Sequence, residues 1–230
     1  KKAEAYNEAL LPSILPDSFA IADASEEDQT YMNTLNIAGD EMMGIVEIPK
    51  IDIKLPIYHT TEEDVLKQAA GHLEGSSLPI GGKSTHAVIS AHRGLPSASL
   101  FTDLDQLKKG DHFLIHVLNK TLCYEVDKIS VVKPEDTSAL AVEDGQDLVT
   151  LLTCTPYGVN THRLLIRGIR TEYVEPEEKA EETPIQQIAK VDPVKIMIIG
   201  LVAMVIMIII VYIVIRRKSR KTEESSRKDE

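Results

Sequence analysis

A thiol, an imidazole and a guanidinium stand at the ends of apolar, β-branched runs in this chain. Cys154 closes "LVTLLTC", Arg163 opens "RLLIRG" nine positions later, and His92 closes "THAVISAH". Cysteine attacks a carbonyl as its thiolate, a form that a neighbouring cation favours. Strand alternation puts Thr150, Leu152 and Cys154 on one face, just before the turn residues Pro156, Tyr157 and Gly158. A thiol at such a strand end is accessible in a way that a mid-strand thiol is not. Acyl transfer also builds negative charge on the former carbonyl oxygen, and a fixed donor there is worth several kcal/mol. Arg163 suits that task because a guanidinium stays charged at any working pH. His92 ends its strand where the glycine- and proline-bearing loop "HRGLPS" begins, a setting from which an imidazole can face a cleft and move protons.

The same residues also admit a plainer reading, with Cys154 a small buried hydrophobe and Arg163 a solvated strand-edge charge. Cys123, within "TLCYEV", has the mid-strand setting of a structural cysteine. His59, His72, His86, His112 and His116 read as surface or core residues, and alternation turns His162 away from the face of Arg163. Arg93, Arg167 and Arg170 read as solvated charges. No Cys or His pair has zinc-ligand spacing, so neither a metal nor another cofactor is expected.

The elements that must position these groups are mostly strands. "GIVEIPKIDIKLPIYH" alternates apolar residues between prolines and suits short edge strands. "THAVISAH", "FLIHVL", "TLCYEVDKISVV", "LVTLLTCT" and "HRLLIRGIRTEY" supply the rest. Helices are expected over residues 1 to 11, near 62 to 70 after the capping pattern of Thr61 and Asp64 with Gly71 as a stop, and near 99 to 107. Many short strands with brief helices predict a mainly β domain, a barrel or a sandwich.

The chain has 230 residues and a formal net charge of −11. Its last fifteen residues hold seven Lys/Arg against four Asp/Glu, so the acidity lies upstream, and so acidic a main part repels phosphate and excludes nucleic acid as its partner. Residues 196 to 215, "IMIIGLVAMVIMIIIVYIVI", carry no charge. Twenty residues at about 1.5 Å each match a hydrocarbon core of about 30 Å. "RRKSRK" follows directly, and such a basic flank marks the cytoplasmic side, leaving the main domain outside. The N-terminus shows no secretory signal, so an export segment is expected to precede residue 1. Outside the cell Cys123 and Cys154 could pair, whereas a thiol kept for chemistry must stay free. The chain therefore divides into an N-terminal helix and arm (1–38), a β domain (39–173), an acidic linker (174–193), a transmembrane helix (194–215) and a basic tail (216–230).

Taken together, "SAHRGLPSASLFTDLD", "LLTCTPYGVNTHRLLIRG" and "GIVEIPKIDIKLPIYH" resemble the sortases, and within them the pilus-assembling class C, over about residues 39 to 173. The resemblance implies a closed eight-stranded β-barrel in the cell membrane of a Gram-positive bacterium. It implies Cys154 as nucleophile, His92 as general acid/base, and Arg163 as the group that steadies substrate and oxyanion. The implied reaction cleaves an LPXTG-like sorting signal between Thr and Gly, holds the acyl part as a thioester, and passes it to a pilin lysine. Class C sortases often carry an Asp-Pro-aromatic lid, which Asp17-Ser18-Phe19 matches with Ser18 in place of proline. The alternatives are a sortase that anchors proteins to cell-wall peptide bridges, a thiol protease, and a non-catalytic membrane-tethered binding domain.

Overall fold

Eight strands pair edge to edge in a computed structural model of the chain, which describes residues 1–10, 15, 17, 19, 29–95, 99–173, 197–198 and 200–212. The strands are β1 (Met42–Ile48), β2 (Ile53–Tyr58), β3 (Ala70–His72), β4 (Thr85–Ser90), β5 (His112–Val117), β6 (Lys120–Val132), β7 (Asp147–Thr155) and β8 (His162–Thr171). They close into a barrel in the order β1-β2-β3-β4-β7-β8-β6-β5, with β5 returning to β1. β2 and β3 run parallel, as do β4 and β7, and the other pairs are antiparallel. Closure leaves no open sheet at either side and settles the choice between barrel and sandwich in favour of the barrel.

Side chains alternate between two apolar clusters. The barrel interior holds Ala87, Ile89 and Ala91 of the β4 segment, Val149 and Leu151 of β7, and Leu164 and Ile166 of β8. The intervening residues Val88, Leu152 and Leu165 belong to a second cluster, which by alternation lies on the outer face, together with Leu15, Leu73 and Leu140. Phe19, Val132 and Ala139 pack against it. Each fully buried aliphatic side chain of this kind stabilises by about 1.5–3 kcal/mol. The outer cluster is thus an apolar floor beside the strand ends that carry the candidate residues.

The helices are shorter than their sequence suggests. α1 (Lys2–Ala9) matches the first expected helix, and Asn7 docks it on the barrel by receiving the Leu78 N–H at 2.8 Å and donating to the Leu78 carbonyl. α2 (Gln29–Met32) buries Tyr31 completely, with its hydroxyl 3.0 Å from His72 Nδ1. The helix expected near 62 to 70 is only α3 (Glu63–Leu66); Glu62, not Thr61, is its N-cap. Residues 70 to 72 form β3 instead, because pairing with β2 and β4 outweighs a weak helical preference. Gly71 serves that packing and is no helix stop: a Cβ there would lie 2.2 Å from the Thr60 carbonyl oxygen. The helix expected near 99 to 107 is a single 3-10 turn, Leu104–Gln106.

The chain splits into two units, Lys1–Val174 and Glu175–Glu230. In the second, residues 197–198 and 200–212 are helical and exposed. Among the described residues no helix is long and apolar enough to cross a membrane. Residues 194–196, 199 and 213–215 of the expected span, and the expected linker and tail, lie outside the described residues.

Candidate active site

Strand register brings the three candidate groups into one row. β4 and β7 pair in parallel up to Ser90 opposite Leu152, and continuing that register two positions sets His92 level with Cys154. Two contacts carry the pairing beyond the strand end: the Ala91 N–H donates to the Leu152 carbonyl at 3.2 Å, and Thr153 Oγ1 donates to the Ala91 carbonyl at 2.7 Å. On the other side β8 runs antiparallel to β7 and places Arg163 directly opposite Cys154. An imidazole just past the end of β4, a thiol on β7 and a guanidinium on β8 therefore share one end of the barrel. Thr150 and Leu152 lie on the face of Cys154, as alternation predicts.

Neither thiol is in a disulfide. Cys154 is 6% exposed, and burial pushes its thiol pKa up; the Arg163 charge pulls it down and the Asp17 carboxylate pushes it up again. His92 is half-buried, and burial lowers its imidazole pKa, with smaller opposed effects of Glu63 and Lys67. Both shifts favour the neutral form of the group in this conformation. Cys123, the fourth residue of β6 and opposite Thr171, is also buried and its thiol is pushed up by that burial.

Arg163 is 8% exposed and fully engaged. Its Nε and Nη2 donate to the two carboxylate oxygens of Asp17 at 2.7 and 2.6 Å. Nη1 donates to the carbonyls of Asn160 and His162. The hydrogen bonds to Asp17 raise the guanidinium pKa further above its ordinary value. Phe19 lies under the guanidinium, 5.2 Å from ring centroid to Cζ, and 5.3 Å from the His92 ring centroid. Asp17 and Phe19 thus sit where the row of three is, while Ser18 lies outside the described residues.

Three residues have a different setting from the one their sequence suggests. Arg93 and Arg167 are not solvated: their side chains are 9% and 15% exposed, and they pair with Asp105 and with Asp127 and Glu143. Arg170 stacks over Tyr124, its Cζ 5.6 Å from the ring centroid. Arg93 follows His92 directly, reaches Thr155 Oγ1 at 3.5 Å and lies over the Tyr157 ring, so it links the histidine loop to the strand end after Cys154. Gly94 makes that packing possible, since at its φ of +77° a Cβ would lie 2.9 Å from Tyr157 Cε2. The adjacency of Arg93 to His92 was the available sequence signal. Buried His59, His72 and His86 have hydrogen-bond partners at both ring nitrogens, consistent with core roles.

A family model described as a sortase domain matches residues 46–171. Among curated proteins, Sortase D of Bacillus subtilis (strain 168) is 32% identical over 130 residues, 55% of this chain and 63% of that protein. Sortase A of Bacillus anthracis is 31% identical over 151 residues, 64% and 69% of the two chains. The chain thus spans less than two thirds of the Bacillus subtilis relative. Among solved structures, sortase C-1 of Actinomyces oris superposes with a TM-score of 0.71 at 47% identity, covering 74% of this chain and 96% of that one. Sortase C of Streptococcus pneumoniae does so at 0.67 and 48%, covering 76% and 87%.

Proposed function

The chain belongs to the sortase family, and from that premise we propose that it is a cysteine transpeptidase of the pilus-assembling kind. The observation that carries the reading is the row of His92, Cys154 and Arg163 at the ends of adjacent strands. Proton transfer from the Cys154 thiol to His92 generates the attacking thiolate. The sulfur bonds to the threonine carbonyl carbon of an LPXTG-like signal while Arg163 donates to the oxyanion. The bond to glycine then breaks, and His92 returns its proton to the leaving amine. A neutral lysine amine of the next pilin attacks the thioester, His92 takes a proton from that amine, and the C–S bond breaks with the proton passing to the Cys154 sulfur, so that an isopeptide bond and the free thiol remain. The higher identity to sortase C structures, one of them described for its pilin substrate specificity, favours polymerisation. The lower identity to proteins named Sortase A and Sortase D leaves wall anchoring as the second reading.

Incubating the β domain with a candidate pilin carrying such a signal is expected to give covalent ladders on a denaturing gel. Release of the signal's C-terminal fragment without ladders, even with pilin in excess, would turn the reading toward anchoring or hydrolysis.

We also infer that residues 196 to 215 cross the cell membrane of a Gram-positive bacterium, with the β domain outside. The reading rests on the uncharged run and its basic flank. Protease added to intact cells is expected to cut within 174 to 193 and to spare a tag placed beyond Arg216. A tag reachable from outside reverses the orientation.

A further inference from the structure

The barrel wall is uneven where β6 outruns its neighbour. β6 has 13 residues and β5 has six, and the pairing of the two reaches no further than His112 opposite Glu125. Val126 is still held on that side: its N–H donates to the Asp111 carbonyl at 2.8 Å, and its carbonyl accepts the Gly110 N–H at 2.9 Å. From Lys128 to Val132 the strand pairs with β8 alone. Among the described residues no strand pairs with its other edge, and no backbone hydrogen bond from another segment reaches it.

The side chains on this overhang do not suit an open edge. Ile129 and Val131 stand directly opposite Ile166 and Leu164, which belong to the interior cluster, so they share the inner face. Yet Ile129 is 37% exposed and Val131 59%. Two β-branched side chains turned inward are thus uncovered, because no strand continues β5 beside them. Such an edge is a template for an extended segment of another chain. Charge indicates which kind. Lys128 and Lys133 stand at the two ends of the run, while Asp127 is taken up by Arg167. A second copy in antiparallel pairing would bring its own lysines against these, and like charges there oppose pairing. A segment with acidic ends and a β-branched middle fits both features.

The overhang also ends level with the row. Val132 is opposite Arg163, and Arg163 is opposite Cys154. Strands lie about 4.8 Å apart, so a strand added to β6 runs about 14 Å from β7, on the far side of β8. The roles assigned to the row concern thiol, carbonyl and proton, and none of them selects one lysine-bearing protein from another.

We propose that the β6 edge from Lys128 to Val132 is a docking site for the acceptor protein, which adds an extended β-branched segment flanked by acidic residues as a further strand and so holds its lysine near the thioester. The proposal rests on the transpeptidase reading above and names how the acceptor is recognised. Main-chain hydrogen bonds supply the pairing, Ile129 and Val131 the apolar contact, and the two lysines the choice of partner. Docking makes attack on the thioester effectively intramolecular.

The test uses the whole chain, a dye-labelled LPXTG-type donor peptide and two acceptors at equal low concentration. One acceptor is lysine amide. The other is a peptide in which about five Gly/Ser residues, enough to span about 14 Å, join a lysine to Glu-Val-Thr-Val-Glu. Transfer to the strand peptide is expected to be about tenfold faster than to lysine amide, and the advantage to shrink as salt is raised. Val131→Asp and Lys128→Glu are each expected to remove the advantage while leaving donor cleavage and transfer to lysine amide unchanged. A parent that does not cleave the donor overturns the transpeptidase reading and this proposal with it. A parent that cleaves the donor but transfers to the strand peptide no faster than to lysine amide overturns this proposal alone, as does an advantage that both variants keep. Variants that also lose transfer to lysine amide overturn it, since the edge then serves the fold. A parent that sediments as a dimer, which Val131→Asp dissolves, makes a second copy the occupant and overturns it too.

Discussion

Cys154→Ala is expected to abolish acyl-enzyme formation, while Cys123→Ala keeps most of the activity. Both cysteines are free and buried, and burial pushes both thiols up, so neither exposure nor titration separates them. Register separates them. Cys154 stands opposite Arg163 with His92 level on its other side, whereas Cys123, the fourth residue of β6, stands opposite Thr171 at the other end of β8. Arg163→Lys tests the same row. Arg163 uses a planar fork here, with two nitrogens on one carboxylate and the third on loop carbonyls, and one ammonium cannot reproduce that spread. If the guanidinium supports the oxyanion, the lysine variant is expected to lose about 10²–10³ in kcat, the usual effect of removing one such donor. Mass spectrometry of the trapped thioester and single-turnover kinetics read both changes. A folded, inactive Cys123→Ala beside an active Cys154→Ala would reverse the assignment.

The sequence is most informative where local pattern and tertiary structure coincide. β6, β7 and β8 have strong β-branched runs, and all three appear within a few residues of the quoted segments. Barrel closure is different, since it depends on β5 pairing with β1 and on the parallel pairing of β4 and β7, contacts between segments tens of residues apart. No local pattern encodes them. Strand β7 also hides its own alternation, because its inner face meets the barrel core and its outer face meets the second cluster. The candidate trio was legible as strand ends, but its assembly came from register. Arg93 and Arg167 were misread for a related reason: a guanidinium reads as solvated until its partners, Asp105 and Asp127, are brought near by the fold.

The arm over the row carries the remaining large effect, and the resting electrostatics give it a sign. We propose that Asp17 and Phe19 form a closed lid. Two charge-assisted bonds hold Asp17 to Arg163, and Phe19 lies between the guanidinium and His92. Their side chains are 10% exposed for Arg163 and 14% for Asp17, so solvent screens the pair only partly. A contact of about 1.5–3 kcal/mol between a charged pair corresponds to roughly ten- to a hundredfold in the open population. Asp17→Ala with Phe19→Ala is therefore expected to speed labelling of Cys154 by a thiol reagent by at least about tenfold. The pH profile should move as well. Burial raises the thiol pKa most, Asp17 raises it further and Arg163 lowers it. Removing the carboxylate takes away one upward effect, any burial lost with the ring lessens the other, and the downward effect of Arg163 stays, so the pH of half-maximal labelling is expected to fall. Ser18 stands where the family lid has proline, and the missing φ restraint favours opening, so the parent should label at a measurable rate and not be sealed. A small drop in thermal midpoint, about 2–4 °C for each kcal/mol lost, should accompany the change. Equal labelling rates and an unmoved pH midpoint in variant and parent would leave the arm without a gating role.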